Sequence, residues 1–315
     1  MIEFLASMFG YVLNFFYNLI GNYGLAIVLF CLVIKILMIP LSIKQQKTQK
    51  KTAKLQGKIK QIQFQYKNDP EKMNQATMEL YKSEKMSPFS GCLVAIIQMV
   101  LLFAVFFMVR EPLTYMKKVE PDIIERCVNV VTEQELVSNG AYAQIAVVSE
   151  ADKIKTEQED KNTELTEQEQ KISESFGNDI DKIYIDMDFL GIDLSKVPTQ
   201  SLDDYRVYII PVLYVISSFI SIKLTTSMQT QTKKEKDIIE VEGGEEGKPK
   251  KVQEKGQTPD PTAQMNKTMS FMMPAMAVMI SFIAPLGLAL YWLTNNVLMI
   301  IERLILNKVL KDEEE

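Results

Sequence analysis

A single lysine, Lys35, stands inside the apolar run Tyr23–Leu41 of this chain. The run is long enough to cross a bilayer, which takes about 20 residues, and Lys35 is its only charged residue. An ammonium group at that depth costs at least roughly 3 kcal/mol unless it reaches water or a partner. Lys35 therefore either snorkels to the cytoplasmic headgroups or faces a wet cavity inside the protein.

Residues for covalent or metal chemistry are scarce in the remainder of the sequence. There is no histidine, which removes the commonest general base and metal ligand. Cys31, Cys92 and Cys127 are far apart and have no metal-binding spacing, so no disulfide framework is expected either. No GxxxxGK[ST] phosphate-binding loop occurs. We predict no catalytic residue, no cofactor or metal site, and a protein that is not an enzyme.

The apolar segments that must position Lys35 predict an all-α membrane protein with five transmembrane helices. The run Thr268–Ile301 would be about 51 Å long as one helix, against a hydrocarbon core of about 30 Å. Pro285 and Gly287 divide it into two short spans. The predicted spans are residues 21–41, 89–110, 205–226, 268–285 and 286–306, centred on Tyr23–Leu41, Cys92–Val109, Val207–Leu224 and the two halves of the long run.

The N-terminal segment, residues 1–20, precedes these spans and is amphipathic. Its polar positions recur every three or four residues and form one stripe on a helix: Glu3, Ser7, Gly10, Asn14 and Asn18. We predict an interfacial helix in the membrane plane, ended by Gly21-Asn22-Tyr23-Gly24. A sixth span is the alternative for this segment.

Lysine placement predicts the orientation. Loop 42–88 carries eleven lysines and four acidic residues, whereas loop 111–204 carries nine basic and 22 acidic residues. Because cytoplasmic loops are enriched in Lys and Arg, we predict loop 42–88 inside and loop 111–204 outside. Five spans then place the N-terminus outside and the C-terminus, residues 307–315, in the cytoplasm.

The basic loop 42–88 is predicted to form a cytoplasmic helical hairpin. Apolar residues recur at helical spacing on both sides of Asn68-Asp69-Pro70, where Asp69 can cap the second helix and Pro70 suits its first turn. Its lysines are either an ordinary solvated surface or a binding surface for anionic headgroups, ribosomal RNA or acidic peptides.

Three further loop segments carry separate expectations. Residues 150–175 have few apolar anchors and predict a solvated helix or disorder, with no site. Residues 184–198 combine aromatic and aliphatic residues and are expected to return to the membrane surface. Residues 227–267 are predicted to be a cytoplasmic linker.

Several short motifs occur in order along the chain: Gly21–Gly24, Lys35 with Met38–Leu41, Glu79–Lys82, Glu84-Lys85, Pro88, Gly91-Cys92, Ile97–Met99, Phe189–Leu194, Met269–Pro274, Pro285–Gly287 and Asn295-Asn296. Together they resemble the YidC/Oxa/Alb family of membrane protein insertases in its short Gram-positive form. The resemblance covers nearly all of the hydrophobic segments and the basic hairpin.

The resemblance implies a five-helix core around a polar groove that opens to the cytoplasm and to lipid. Lys35 falls at the family's positive groove position, and Gln98 and Asn295 would help to line the groove. Tyr291 and Trp292 would lie near the substrate's exit path along the third and fifth spans. A helix–helix hydrogen bond remains open for Gln98, and ordinary core packing remains open for Tyr291 and Trp292.

This chain departs from the family pattern at three points. Lys35 stands where arginine is usual, so it keeps the charge but loses the bidentate fork for carboxylates. Val100 replaces a frequent proline. The C-terminus is acidic, Lys311–Glu315, so tail-driven ribosome docking is not expected.

The predicted function is insertion and folding of nascent membrane proteins in the bacterial cell membrane, without a cofactor. Predicted partners are nascent membrane proteins and lipids, with the Sec translocon, the ribosome and the signal recognition machinery as further candidates. Because Lys35 is interpreted as the one fully embedded charge, its removal is expected to relieve a desolvation cost. The alternative is a transporter or channel subunit that uses Lys35 as a counter-charge.

Overall fold

The computed structural model describes residues 1–66, 69–84, 90–137, 140–159, 165–234, 272 and 275–312. These residues are mostly helical, as an all-α membrane protein requires, with one short β-hairpin. In chain order the elements are α1 (Ile2–Ile20), α2 (Tyr23–Gln65), α3 (Pro70–Ser83), α4 (Ser90–Arg110), α5 (Pro112–Tyr115), α6 (Pro121–Glu133), α7 (Ala143–Glu159), α8 (Glu167–Phe176), α9 (Ile180–Ile183), β1 (Asp188–Phe189), β2 (Ile192–Asp193), α10 (Ile209–Lys234), α11 (residues 275–283) and α12 (Leu286–Asp312).

Three described stretches are long and apolar enough to cross a bilayer: Tyr23–Thr48, Tyr205–Leu224 and Leu286–Leu306. They overlap the first, third and fifth predicted spans. The apolar part described for α4, Ile96–Arg110, is shorter, and the fourth predicted span, 268–285, is described only at residue 272 and over 275–285. The chain is therefore a multi-pass membrane protein, and the count of five spans stays a prediction.

α2 is one helix of 43 residues, about 65 Å long. The sequence predicted a span ending at Leu41 and a separate helix beyond it, but the Lys- and Gln-rich residues that follow are good helix formers and continue the same helix. Pro40 lies inside α2. Because proline has no N–H and its ring crowds the preceding turn, Pro40 is the weakest point of this helix.

The C-terminal part of α2 and the whole of α3 pack together as the hairpin that the sequence predicted. The Asp69 side chain accepts a hydrogen bond from the Lys72 amide at 3.1 Å, and Pro70 begins α3. Leu55 and Ile59 of α2 are buried. We call this unit, residues 42–84, the basic hairpin.

The described part of the segment between α4 and α10, residues 111–208, forms a helical unit, and we call it the loop domain. Its buried side chains belong to one hydrophobic core that also includes residues of α1, α2, α4 and α12. Fully buried side chains lie on α6, α7, α8 and α9 and directly after α9: Cys127, Val131, Val147, Val148, Ala151, Ile154, Ile172, Phe176, Ile183 and Ile185. The segment 150–175, expected to be a solvated helix or disordered, is helical in its described part, but its helices pack into this core. Its apolar residues are few, but helical spacing puts them on the buried faces of α7 and α8.

The β-hairpin of the loop domain reaches the starts of α2 and α12. Leu190 and Gly191 have φ of 56° and 80° and form its two-residue turn. Phe189 packs directly on the backbone of Gly24, where any side chain would collide with its ring. The amides of Leu286 and Gly287 donate to the carbonyls of Lys196 at 3.0 Å and Leu194 at 2.9 Å, respectively. The loop domain thus satisfies backbone donors that the start of α12 leaves unpaired.

α1 lies between the loop domain and the long helices. The backbone of Gly10 touches the Tyr115 carbonyl, and Tyr17 Oη accepts a hydrogen bond from the Asp186 amide at 2.9 Å. On another face, the rings of Phe9 and Phe30 of α2 lie 5.6 Å apart. A third face of α1 is an exposed apolar stripe at helical spacing: Phe4, Met8, Tyr11, Phe15 and Leu19.

Packing is uneven along the helices. In α2, buried side chains extend from Tyr23 to Cys31, and none of the described residues 32–48 is buried. In α4 the described side chains become buried only from Ala104 onward. The helices are therefore tightly packed at the loop-domain end and open at the end that carries the basic hairpin.

We predict that Gly10→Ala weakens the contact between α1 and α5. The new methyl group would overlap the Tyr115 carbonyl, and overpacking of this kind costs about 1–3 kcal/mol. Gly57→Ala is the matched control, because open space surrounds Gly57 in α2 and alanine favours the helix by up to about 1 kcal/mol. Thermal unfolding in detergent should show a lower midpoint only for Gly10→Ala. Equal midpoints would contradict the close approach.

A second prediction concerns Asp152 in the loop domain. Burial, together with the nearby Asp193, Asp186 and Asp188, raises the pKa of Asp152 from 3.8 to about 6. A carboxyl with a raised pKa in the fold contributes stability below pH 4 that is lost as pH rises through about 6. Asp152→Asn should therefore stabilise the protein at pH 7.5 by about 1–3 kcal/mol, after allowance for solvent screening.

The measurement is the unfolding midpoint between pH 4 and pH 7.5. Wild type should lose stability relative to Asp152→Asn across this range. Asp203→Asn, at an exposed position of the same domain, serves as the control. Parallel pH profiles for wild type and Asp152→Asn would refute the assignment.

Candidate functional site

The site around Lys35 is built by α2 and α12, which run side by side from the loop-domain end. A side chain at Gly287 would lie 3.5 Å from the Tyr23 ring, so the two helices start in register. Lys35 follows Tyr23 by 12 residues, about 18 Å along α2. Glu302 follows Gly287 by 15 residues, about 22 Å along α12. Both residues therefore lie about 20 Å along their helices from the loop-domain end.

Lys35 and Glu302 form an ion pair. The distance from Lys35 Nζ to Glu302 Oε2 is 2.7 Å, and the two side chains are 20% and 11% exposed. The second carboxylate oxygen, Glu302 Oε1, is buried and has no hydrogen-bond partner among the described residues. The pair thus compensates the charge of Lys35 but leaves one acceptor unsatisfied.

A second polar contact joins α10 and α12. Asn296 Nδ2 donates to Ser217 Oγ at 2.9 Å and to Ser218 Oγ at 3.3 Å, and all three residues are buried. One turn nearer the loop domain, the rings of Trp292 and Tyr214 lie 6.1 Å apart. These polar and aromatic contacts pack α10 against α12, on a different face of α12 from the Lys35–Glu302 pair.

The structure places the sequence-predicted site residues on three different surfaces. Asn295 precedes Glu302 by seven residues and so shares its face of α12, and Tyr291 lies one turn earlier on that face; both are half-buried. Trp292 is half-buried on the α10 side, where it packs on Tyr214. Gln98 is exposed on α4 within the exposed run 96–99.

Glu302 and Asn296 were not predicted as site residues from the sequence. Glu302 falls inside the fifth predicted span, 286–306, directly after the apolar run that ends at Ile301, but it was given no role. Its seven-residue spacing from Asn295 is the signal that could have placed it on the same helix face. Asn296 lies next to Asn295, and sequence alone does not tell which of the two faces α10.

Other groups that could do chemistry are dispersed or buried. Among the described residues, no three His, Cys, Asp or Glu side chains come together as metal ligands would. Cys31 and Cys127 are buried free thiols, and burial raises the pKa of the Cys127 thiol.

Comparison with known proteins gives a consistent result. A family model described as "60Kd inner membrane protein" matches residues 15–314. The chain is 44% identical over 94 residues to the Membrane protein insertase YidC of Geobacter sulfurreducens, which covers 30% of this chain and 18% of that protein. It is 37% identical over 106 residues to the protein of the same name from Caldanaerobacter subterraneus, covering 34% of this chain and 52% of the relative.

A relative from Fusobacterium nucleatum with the same name is 37% identical over 107 residues, which are 34% of this chain and 52% of the relative. The chain therefore spans about half the length, or less, of the curated relatives it matches.

We predict that loss of Lys35 alone destabilises the protein. Lys35→Met leaves Glu302 without its cation, and breaking a buried pair from one side costs up to about 3–5 kcal/mol. The double variant Lys35→Met/Glu302→Met should recover most of this loss, because an apolar pair carries no desolvation cost. The ion pair therefore reverses the expectation from the sequence, which was that removing Lys35 relieves a desolvation cost.

Thermal unfolding in detergent would measure both variants. Lys58→Met is the matched control: Lys58 contacts Glu84 at 2.7 Å, but these side chains are 57% and 39% exposed, so its loss should cost less than about 1 kcal/mol. A double variant that is no more stable than Lys35→Met would contradict the ion pair.

Proposed function

The chain belongs to the 60Kd inner membrane protein family, the YidC/Oxa/Alb proteins, and we propose that it is a membrane protein insertase that inserts and helps to fold nascent membrane proteins. The observation that carries the proposal is Lys35, a cation deep in an apolar helix at the poorly packed end of the helices. Its curated relatives bear the name Membrane protein insertase YidC.

The proposed topology has five spans, an interfacial N-terminal helix and a cytoplasmic basic hairpin. The acidic loop domain lies outside, the N-terminus lies outside, and the C-terminus is cytoplasmic. The lysine bias of residues 42–88 supports this orientation. The exposed apolar stripe of α1, together with its contacts to the loop domain on another face, supports a position at the membrane surface.

The proposed groove is the open part of the protein near the basic hairpin. The lack of buried side chains among residues 32–48 of α2 and the exposure of residues 96–99 of α4 support a groove that opens toward the cytoplasm and lipid. Lys35, Gln98 and Asn295 would line it. Tyr291 and Trp292 would lie near the exit path, and the packing of Trp292 on Tyr214 supports a path along α10 and α12.

The proposed mechanism is physical transfer without covalent chemistry or a cofactor. The barrier is the passage of a short polar tail through hydrocarbon. A hydrated groove shortens the apolar part of that path. Lys35 attracts acidic residues of the tail more strongly than it would in bulk water, because the effective dielectric constant is lower. The apolar segment of the substrate then leaves sideways along α10 and α12.

The proposed binding partners are those that this mechanism requires. Nascent membrane proteins are the substrates, and lipids surround the exit path. The basic hairpin would receive the substrate and would offer a surface to the ribosome, the signal recognition machinery or the Sec translocon, since lysine-rich surfaces attract anionic partners.

The second candidate is a transporter or channel subunit. The observation in its favour is Glu302, which adds an embedded acid opposite Lys35, as ion and proton pathways often have. Ion flux through liposomes that contain the purified protein distinguishes the two candidates, because an insertase transfers a single-span substrate without conducting ions.

The test of the insertase is insertion of two matched single-span substrates, with an acidic or a neutral translocated tail, into liposomes. Wild type should insert both. Lys35→Arg should retain insertion because the charge is kept. Lys35→Glu places a second carboxylate beside Glu302 and should reduce insertion of the acidic tail at least about tenfold relative to the neutral tail.

Lys171→Glu makes the same charge change on the surface of the loop domain, where the side chain is 62% exposed, and should have no effect. Equal insertion of both tails by Lys35→Glu would return Lys35 to a structural role. Ion conduction without insertion by wild type would favour the second candidate.

A further inference from the structure

Lys35 has a carboxylate partner within the chain. Its ammonium group lies 2.7 Å from Glu302 Oε2, in the part of the protein where few side chains are buried. The substrate group that Lys35 would attract is also a carboxylate. Glu302 and an acidic tail are therefore chemically equivalent ligands for one cation.

The competition favours Glu302 in two ways. Glu302 is held on α12 next to α2, so its effective concentration at Lys35 is far higher than that of a carboxylate on a separate chain. The pair also has no net charge, and its field falls off with distance faster than that of a lone ammonium. The binding free energy that an acidic tail obtains from Lys35 is consequently reduced by the free energy needed to displace Glu302.

Glu302 also has a hydrogen-bond acceptor available for substrate tails that are not acidic. Its Oε1 is buried without a hydrogen-bond partner among the described residues, and an unsatisfied buried acceptor is costly. A hydroxyl, amide or ammonium group on a substrate tail would satisfy this oxygen while the ion pair stays intact. Asn295, on the same face of α12, adds an amide to this surface.

We propose that Glu302 determines which tail charges this protein handles: it competes with acidic tails for Lys35 and binds donor groups of neutral and basic tails through its free oxygen. The proposal rests on the proposed insertase function. A chain with the lone cation would prefer acidic tails strongly, whereas the Lys35–Glu302 pair makes the preference weak.

The experiment compares acidic, neutral and basic versions of one single-span substrate. Binding to the protein in detergent and insertion into liposomes are both measured. Glu302→Gln keeps the shape of the side chain and removes its charge, so the acidic-to-neutral ratio should rise about threefold to tenfold and the basic-to-neutral ratio should fall. Glu167→Gln makes the same change at an 87% exposed position of α8 and should leave both ratios unchanged.

The charge-swapped variant Lys35→Glu/Glu302→Lys covers the case in which Glu302→Gln fails to fold. It retains a neutral pair, so the wild-type ratios should persist; strong discrimination against acidic tails would mean that position 35 alone sets the preference. Wild-type ratios in folded Glu302→Gln would also overturn the proposal. Failure of wild type to insert any substrate would count against the insertase function, while the binding ratios would still decide the role of Glu302.

Discussion

A charge deep in an apolar helix can be kept only if another group compensates it, and the arrangement of the long helices follows from this constraint. Lys35 needs Glu302 within contact distance, so α2 and α12 must run side by side in a fixed register. That register is set about 20 Å away, where Gly287 allows α12 to approach Tyr23 and the loop-domain carbonyls accept hydrogen bonds from the start of α12. The ion pair and the contacts of the loop domain thus fix the register of the same two helices at two separate points.

The loop domain accounts for the asymmetry of the packing. It caps the starts of α2 and α12, holds α1 through Gly10 and Tyr17, and shares one hydrophobic core with these helices. Tight packing at one end allows the other end to remain open without loss of the fold, because hydrophobic burial and satisfied backbone groups are concentrated at the loop-domain end. Tight packing at the loop-domain end is therefore what allows the helices to be poorly packed around Lys35.

Local features were predictable from the sequence, and long-range partnerships were not. Asp69 and Pro70 begin α3 as their residue types predict, and the spans within α2, α10 and α12 follow from apolar length. The continuity of α2 was missed because the change from apolar to Lys- and Gln-rich residues after Leu41 was interpreted as the end of the span. The packing of the described part of 150–175 was missed because four buried residues in a charged segment give a weak signal. Glu302 could not be matched to Lys35, since 267 positions separate them and no local pattern reports an ion pair.

Because α2 is one continuous helix, the basic hairpin would move as a unit if the helix bent at Pro40. From Pro40 to Gln65 the helix extends about 38 Å, whereas Lys35 lies only about 8 Å away on the other side. Bending at the proline by 10° would move the hairpin tip by about 7 Å, while the side held by the loop domain and Glu302 stays in place. The position of the hairpin tip can therefore change without disturbing the Lys35–Glu302 ion pair.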